Sequence, residues 1–125
     1  MLETAAITEE EPGLPATLVF RIGGRVSEIE MKMLSDRLLD AFDRIDLLLV
    51  FDRFEGAEPG AGLNSRSLKA NAASLWNVRA YVAAGAPEEA GEMIERIGRM
   101  LPVDARTFDT EAEARAYLTS LPHPP

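Results

Sequence analysis

Two carboxylates follow directly on the most apolar segment of the chain, and they are the first candidates for chemistry. Leu47 to Phe51 is a continuous apolar run, and Asp52 and Glu55 come just after it. Carboxylates at the end of a buried strand could work as a general acid and a general base. The sequence offers them no partner histidine, nucleophile or metal motif. We therefore expect both to be solvated or structural, with no catalytic residues and no enzymatic activity.

A glycine-rich segment, Gly60 to Gly62, precedes a predicted helix over residues 64–75. Free backbone amides at a helix start attract anions. The segment lacks the third glycine of a dinucleotide fingerprint and the lysine and serine of a P-loop, so a flexible loop is the ordinary alternative. Arg66 and Lys69 lie near the positive end of the helix dipole. Their position there hints at an anionic ligand or partner, while solvated surface cations are the alternative.

Ser65 and Ser67 lie at the same helix start and offer two hydroxyl groups. Either could accept a phosphoryl group, which would sit at a positive helix end beside Arg66 and Lys69. The simpler alternative is that Ser65 caps the helix by accepting a hydrogen bond from its backbone.

The predicted loop 52–63 is longer than most strand-to-helix connections, and this length favours a functional loop. Asp52, Phe54 and Leu63 lie within it. Together with Arg66 and Lys69 they form the predicted surface for a ligand or partner. Apolar side chains near the loop could line a pocket or belong to the core, and these are Met33, Phe54, Leu63 and Trp76.

Composition excludes several classes of function. The net charge of -8 argues against general binding to nucleic acid or anionic membranes. Without cysteine, and with His123 as the only histidine, thiolate chemistry and the usual zinc sites are excluded. We expect no metal and no cofactor. No apolar run is long enough to span a bilayer and no signal peptide is evident, so we expect a cytoplasmic location.

The elements that must position these residues alternate between strands and helices. Residues 17–22 read as a strand ended by Gly23 and Gly24, and Leu2 to Ile7 could add an edge strand. Ser27 and Glu30 form a capping box that begins a helix ending near Arg44. Its apolar stripe is Met31, Leu34, Leu38, Phe42 and Ile45.

The second half of the chain continues the alternation. The predicted elements are a strand over 78–83, a helix that begins at Pro87 and stops at Pro102, a strand over 103–108 and a helix capped at Thr110. Such a sequence predicts an α/β fold with a mostly parallel sheet of four or five strands and about four helices. We expect a single domain over 1–125, with 1–15 and 122–125 peripheral.

This layout resembles the SpoIIAA-like proteins of the STAS superfamily, and most closely the small, stand-alone bacterial branch of uncharacterised function. The resemblance spans about residues 17–121. It rests on Phe20 to Ser27, on Leu47 to Gly56, on Ser67 to Asn71, and on Arg106 to Asp109 followed by a helix capped at Thr110.

The resemblance implies a non-enzymatic binding or regulatory module that binds a protein partner or a small, lipid-like ligand, and it implies a possible homodimer. In the anti-sigma-factor antagonists of this superfamily, a serine in an Asp-Ser-Ser-Gly-type loop is phosphorylated. This chain lacks that motif, although Ser65 and Ser67 fall in the corresponding region. A phosphorylation-switched regulator is therefore the alternative function.

Overall fold

The computed structural model describes residues 1–40, 45–58 and 78–122. Within them a five-stranded sheet is combined with three helices. The strands are β1 (Ile7–Glu10), β2 (Thr17–Val26), β3 (Ile45–Ala57), β4 (Val78–Ala84) and β5 (Asp104–Phe108), and the helices are α1 (Glu28–Leu39), α2 (Glu88–Met100) and α3 (Glu111–Ser120).

The sheet has the order β1-β2-β3-β4-β5, with β1 antiparallel to β2 and all other neighbours parallel. The predicted mostly parallel α/β fold is therefore confirmed. The predicted edge strand at Leu2 to Ile7 is displaced, because β1 begins only at Ile7. Glu3 forms an isolated bridge with Thr8, so the chain turns back on itself before β1.

β3 is the middle strand, and it is buried on both faces. Leu47 and Leu49 belong to one apolar cluster, whereas Leu48 and Val50 belong to a second cluster on the opposite face. All four side chains are exposed by 4% or less. This explains the continuous apolar run in the sequence, since a strand between two apolar layers has no face left for polar side chains.

The helices divide between the two faces of the sheet. Leu34 and Leu38 of α1 join the first cluster together with Met93, Ile94 and Ile97 of α2. Ala114 and Leu118 of α3 join the second cluster. The sheet is therefore covered by two helices on one face and by one helix on the other.

The predicted capping box is present at the start of α1. The Ser27 hydroxyl accepts a hydrogen bond from the Glu30 amide, and the Glu30 carboxylate accepts one from the Ser27 amide. The predicted helix end near Arg44 is wrong, since α1 ends at Leu39 with Asp40 as its cap. Ile45 belongs to β3 rather than to the helix stripe, and Phe42 lies outside the described residues.

Two predicted strand ends are also wrong. β2 continues through Gly23 and Gly24 to Val26, and β3 continues past Phe51 to Ala57. The segment 52–57 is therefore strand rather than the first half of a loop. The predicted helix over 64–75 lies outside the described residues, as do residues 59–63 of the predicted loop.

Candidate functional site

The predicted site begins where the sheet narrows to two strands. The last residue pair between β3 and β4 is Val50 with Ala84, whereas β2 and β3 remain paired up to Val26 and Ala57. We call this two-stranded extension, residues 22–26 and 51–57, the distal ribbon. Within the described part of the chain, no strand pairs with the outer edge of residues 51–57.

The distal ribbon contains two irregularities in its pairing. Ile22 pairs with Phe51, but the next paired residues are Gly24 and Phe54, so β3 carries one residue more than β2. A second shift separates the pair Gly24–Phe54 from the pair Arg25–Gly56. Each is a β-bulge, and a bulge reverses which face of the sheet the following side chains occupy.

The bulges bring three apolar side chains, Phe51, Phe54 and Ala57, onto one face. All three are half-buried and pack against the cluster under α1 and α2. The two phenylalanine rings meet edge to face, with centroids 5.2 Å apart and planes at 87°. We call these three residues the apolar strip.

Glycine is required on both sides of the first bulge. A Cβ on Gly23 would lie 2.5 Å from the carbonyl oxygen of Asp52. A Cβ on Gly85, which follows β4 and has φ +67°, would lie 3.0 Å from the carbonyl oxygen of Phe51. The backbone of β3 is therefore confined between two close neighbours at the point where the distal ribbon begins.

Asp52 lies on the opposite face from the apolar strip and is exposed. Its carboxylate faces Arg21 of β2, with Nη1 and Oδ2 3.4 Å apart. Glu55 is exposed as well. The structure thus gives Asp52 an ion-pairing role and separates it from Phe54, with which the sequence grouped it.

Arg21 is the centre of a charged cluster that joins four elements. Its guanidinium contacts Glu10 of β1 at 3.1 Å and Glu111 of α3 at 2.9 Å, in addition to Asp52. Hydrogen bonds to Glu10 and then to Glu111 raise the pKa of Arg21 further above its usual range. Hydrogen bonds from Arg115 and then Arg21 lower the pKa of Glu111, so this acid is held ionised.

Several predicted site residues cannot be placed. Leu63, Ser65, Arg66, Ser67 and Lys69 all lie outside the described residues. Their assignment to a ligand surface, and phosphorylation of either serine, stay predictions. Trp76 lies outside as well, whereas Met33 is exposed on α1.

Sequence reasoning missed Phe51, Arg53 and Ala57 as parts of the site. The signal was present in the three-residue spacing of Phe51, Phe54 and Ala57. That spacing does not fit the period of two of a regular strand, although it also suits one face of a helix. In a strand, a bulge between successive members is needed to place all three on one face.

The described residues contain neither a metal-binding cluster nor a membrane-spanning helix. Across 1–40, 45–58 and 78–122, no group of three or more histidine, cysteine or acidic side chains is arranged to hold a metal ion. None of the helices in these ranges combines the length and apolar character needed to cross a bilayer.

A mostly parallel five-stranded sheet, with α1 and α2 on one face and α3 on the other, defines an α/β module of the STAS type. A family model described as SpoIIAA-like matches residues 17–119, and the chain belongs to this family. An uncharacterised protein of the DUF3478 family from Shewanella loihica PV-4, described as having a SpoIIAA-like fold, is similar in structure with a TM-score of 0.65. The match covers 94% of this chain and 98% of the other at 16% identity, so it shows the fold alone. No curated protein matches the chain.

Proposed function

We propose that this chain is a non-enzymatic binding module whose ligand surface is the apolar strip of the distal ribbon. The observation that carries the proposal is the half-buried state of Phe51 and Phe54 beyond the end of β4. Both rings pack on the core on one side and keep part of their surface accessible. Partly accessible aromatic side chains at the edge of a core are typical of ligand sites.

A small amphipathic molecule is the ligand that suits this surface best. The apolar strip has only three side chains, while a stable protein interface takes roughly 20–30 residues from each partner. Exposed charged side chains lie along the same ribbon and directly after it, namely Arg25, Arg53, Glu55 and Glu58. A ligand with an apolar body and a polar or charged head would satisfy both kinds of surface.

Direct binding tests the proposal. We expect a fluorescent fatty acid, 11-(dansylamino)undecanoic acid, to bind the wild-type protein and to bind Phe54→Gln at least about tenfold more weakly, because a polar side chain removes apolar contact from the strip. The matched control is Ile29→Gln, which changes an apolar side chain that is 71% exposed on α1. Equal affinity for Phe54→Gln and the wild-type protein would refute the assignment.

Native mass spectrometry of freshly purified protein provides a second readout that requires no chosen probe. A co-purified small molecule that is absent from Phe54→Gln would support the proposal. Freshly purified protein with nothing bound, together with no binding in a lipid and metabolite screen, would exclude the small-ligand function.

A protein partner is the second candidate, favoured by two exposed apolar side chains one turn apart on α1. Ile29 is 71% exposed and Met33 is 41% exposed. Chemical crosslinking in the native host should yield an adduct that Ile29→Asp with Met33→Asp abolishes. If Arg66 and Lys69 belong to the same surface, Arg66→Glu with Lys69→Glu abolishes it as well.

A further inference from the structure

The backbone of Arg53 adopts a conformation that side chains rarely occupy. Its φ is +58°, and among the described residues only Ala16 shares a positive φ without being glycine. Arg53 lies in the first bulge, where Asp52 and Arg53 together oppose Gly23 between the pairs Ile22–Phe51 and Gly24–Phe54. A left-handed conformation at a bulge normally favours glycine, so an exposed arginine here is strained.

The register shows what this conformation achieves. Side chains alternate between the two faces of a regular strand, so without a bulge Phe54 would lie on the face opposite to Phe51. The additional residue reverses the alternation. Gly24, the partner of Phe54, lies between Ile22 and Val26, both of which face the cluster under α1 and α2. Phe54 accordingly reaches the same cluster and contacts Phe51.

We propose that Arg53 is a positioning residue whose left-handed conformation holds Phe54 in the apolar strip and thereby sets the affinity of the strip for its ligand. This inference rests on the proposed function and names the residue that controls the affinity for the ligand. The alternative arrangement, without the bulge, turns Phe54 toward the face of Asp52 and dismantles the strip. The ease with which residue 53 adopts a positive φ decides between the two arrangements.

The proposal predicts a ranking of variants at position 53. Glycine adopts a positive φ without cost and asparagine tolerates it, whereas valine strongly resists it. Because Arg53→Gly, Arg53→Asn and Arg53→Val all remove the same charge, we compare the three with one another and expect the first two to bind 11-(dansylamino)undecanoic acid equally tightly. Arg53→Val should bind about five- to tenfold more weakly than these two, the size expected when a strained left-handed conformation is disfavoured.

Arg25 provides a matched control in the same ribbon. It is an exposed arginine on β2, paired with Gly56, and its φ is not positive. Arg25→Gly lowers the strand propensity of β2 and Arg25→Val raises it, so the ranking at position 25 should be flat or reversed. If loss of charge alone mattered, the glycine and valine variants would bind equally at each position.

An NMR readout separates this inference from the function on which it rests. The contact between the rings of Phe51 and Phe54, 5.2 Å between centroids, should give an NOE in wild type, Arg53→Gly and Arg53→Asn, and a weaker or absent NOE in Arg53→Val.

If Arg53→Val does not fold, Arg53→Ala against Arg53→Asn tests the same order. An unchanged NOE and unchanged affinity in Arg53→Val, or in Arg53→Ala, would overturn the role of Arg53. Wild-type protein that fails to bind the probe would overturn the proposed function, and the ring contact alone would then decide the role of Arg53.

Discussion

Gly23 illustrates how a single missing side chain permits the ribbon to form. We expect Gly23→Ala to lower the free energy of unfolding by about 2 kcal/mol or more, because its Cβ would lie 2.5 Å from a backbone oxygen that cannot move without disturbing β3. The matched control is Gly91 of α2, whose Cβ would meet only the methyl group of Thr107 at 3.9 Å. Gly91→Ala should stabilise by up to about 1 kcal/mol through helix propensity. Urea denaturation of both variants checks the opposite signs.

Asp46 and Arg79 form the most deeply buried ion pair of the described residues. The Asp46 side chain is 1% exposed and accepts two hydrogen bonds from Arg79, at 2.9 and 2.7 Å. Removal of the guanidinium takes these two hydrogen bonds from a buried carboxylate, so Arg79→Met should lower the free energy of unfolding by about 3 kcal/mol. Arg106→Met, at a pair whose arginine side chain is 57% exposed, should cost under about 1 kcal/mol.

A double variant distinguishes desolvation from packing at this pair. Asp46→Leu with Arg79→Met removes both charges, and it should recover a large part of the stability lost in Arg79→Met. Equal stability of the single and double variants would show that the buried Asp46 carboxylate is not the source of the lost stability.

At the scale of elements, two carboxylates fasten the N-terminal segment to α1. Glu30 accepts hydrogen bonds from the Thr4 hydroxyl and, at 2.8 Å, from the Ala6 amide. Glu9 is bound by Arg37 at 3.0 Å and by the Leu2 amide at 3.0 Å. These bonds hold β1 and the residues before it against the first helix.

This attachment predicts a pH dependence. Burial by itself raises the pKa of Glu30, but hydrogen bonds from Thr4, Ala6 and Ser27 outweigh it and lower the pKa below its ordinary value. The stability that Glu30 contributes is therefore fully present above its unfolded pKa and is lost as the pH falls through the folded one. In urea denaturation, Glu30→Gln should be clearly less stable than wild type at pH 7, and the difference should shrink progressively as the pH is lowered below 4.5. The control Glu28→Gln, exposed in the same first turn, should show no such convergence.

Element types were largely predictable from the sequence, whereas the extent of β3 was not. The apolar run at Leu47 to Phe51 and the capping box at Ser27 each report a local interaction, and both predictions are confirmed. A bulge depends on pairing with β2, which no local pattern records. The sequence therefore predicts a loop at Asp52 to Gly56, although this segment lies close against Gly23 and continues the strand.

The candidate site was predictable only in part for the same reason. The carboxyl end of the middle strand was the right region, and Phe54 lies there as expected. Its neighbours in the strip depend on two register shifts, and its separation from Asp52 depends on which face each side chain occupies. The spacing of Phe51, Phe54 and Ala57 suits a bulged strand as well as a helix, so by itself it decides neither the register nor the face.

At the scale of the whole molecule, Arg21 connects β1, β2, β3 and α3 through three carboxylates. We expect Arg21→Met to lower the free energy of unfolding by about 1–2 kcal/mol, since its hydrogen bonds are charged but the guanidinium keeps some contact with water. High salt should reduce the difference. Arg25→Met, an exposed arginine of the same strand, should change stability by less than about 0.5 kcal/mol.

Self-association is also a property of the whole molecule, and it stays a prediction. Sedimentation equilibrium on the wild-type protein measures it directly. If Ile29 and Met33 form the contact, Ile29→Asp with Met33→Asp should return a dimer to the monomer.

The spatial order of the strands is the same as their order along the polypeptide. During synthesis each new strand can therefore pair with the free edge of the sheet formed by the earlier strands. No strand has to insert between two earlier ones. Domains commonly fold as they leave the ribosome, from the amino end onward. A nascent chain that has emerged as far as Ala84 already contains both strands that pair with the middle strand β3. The distal ribbon thus has its scaffold once about the first two thirds of the protein have left the ribosome.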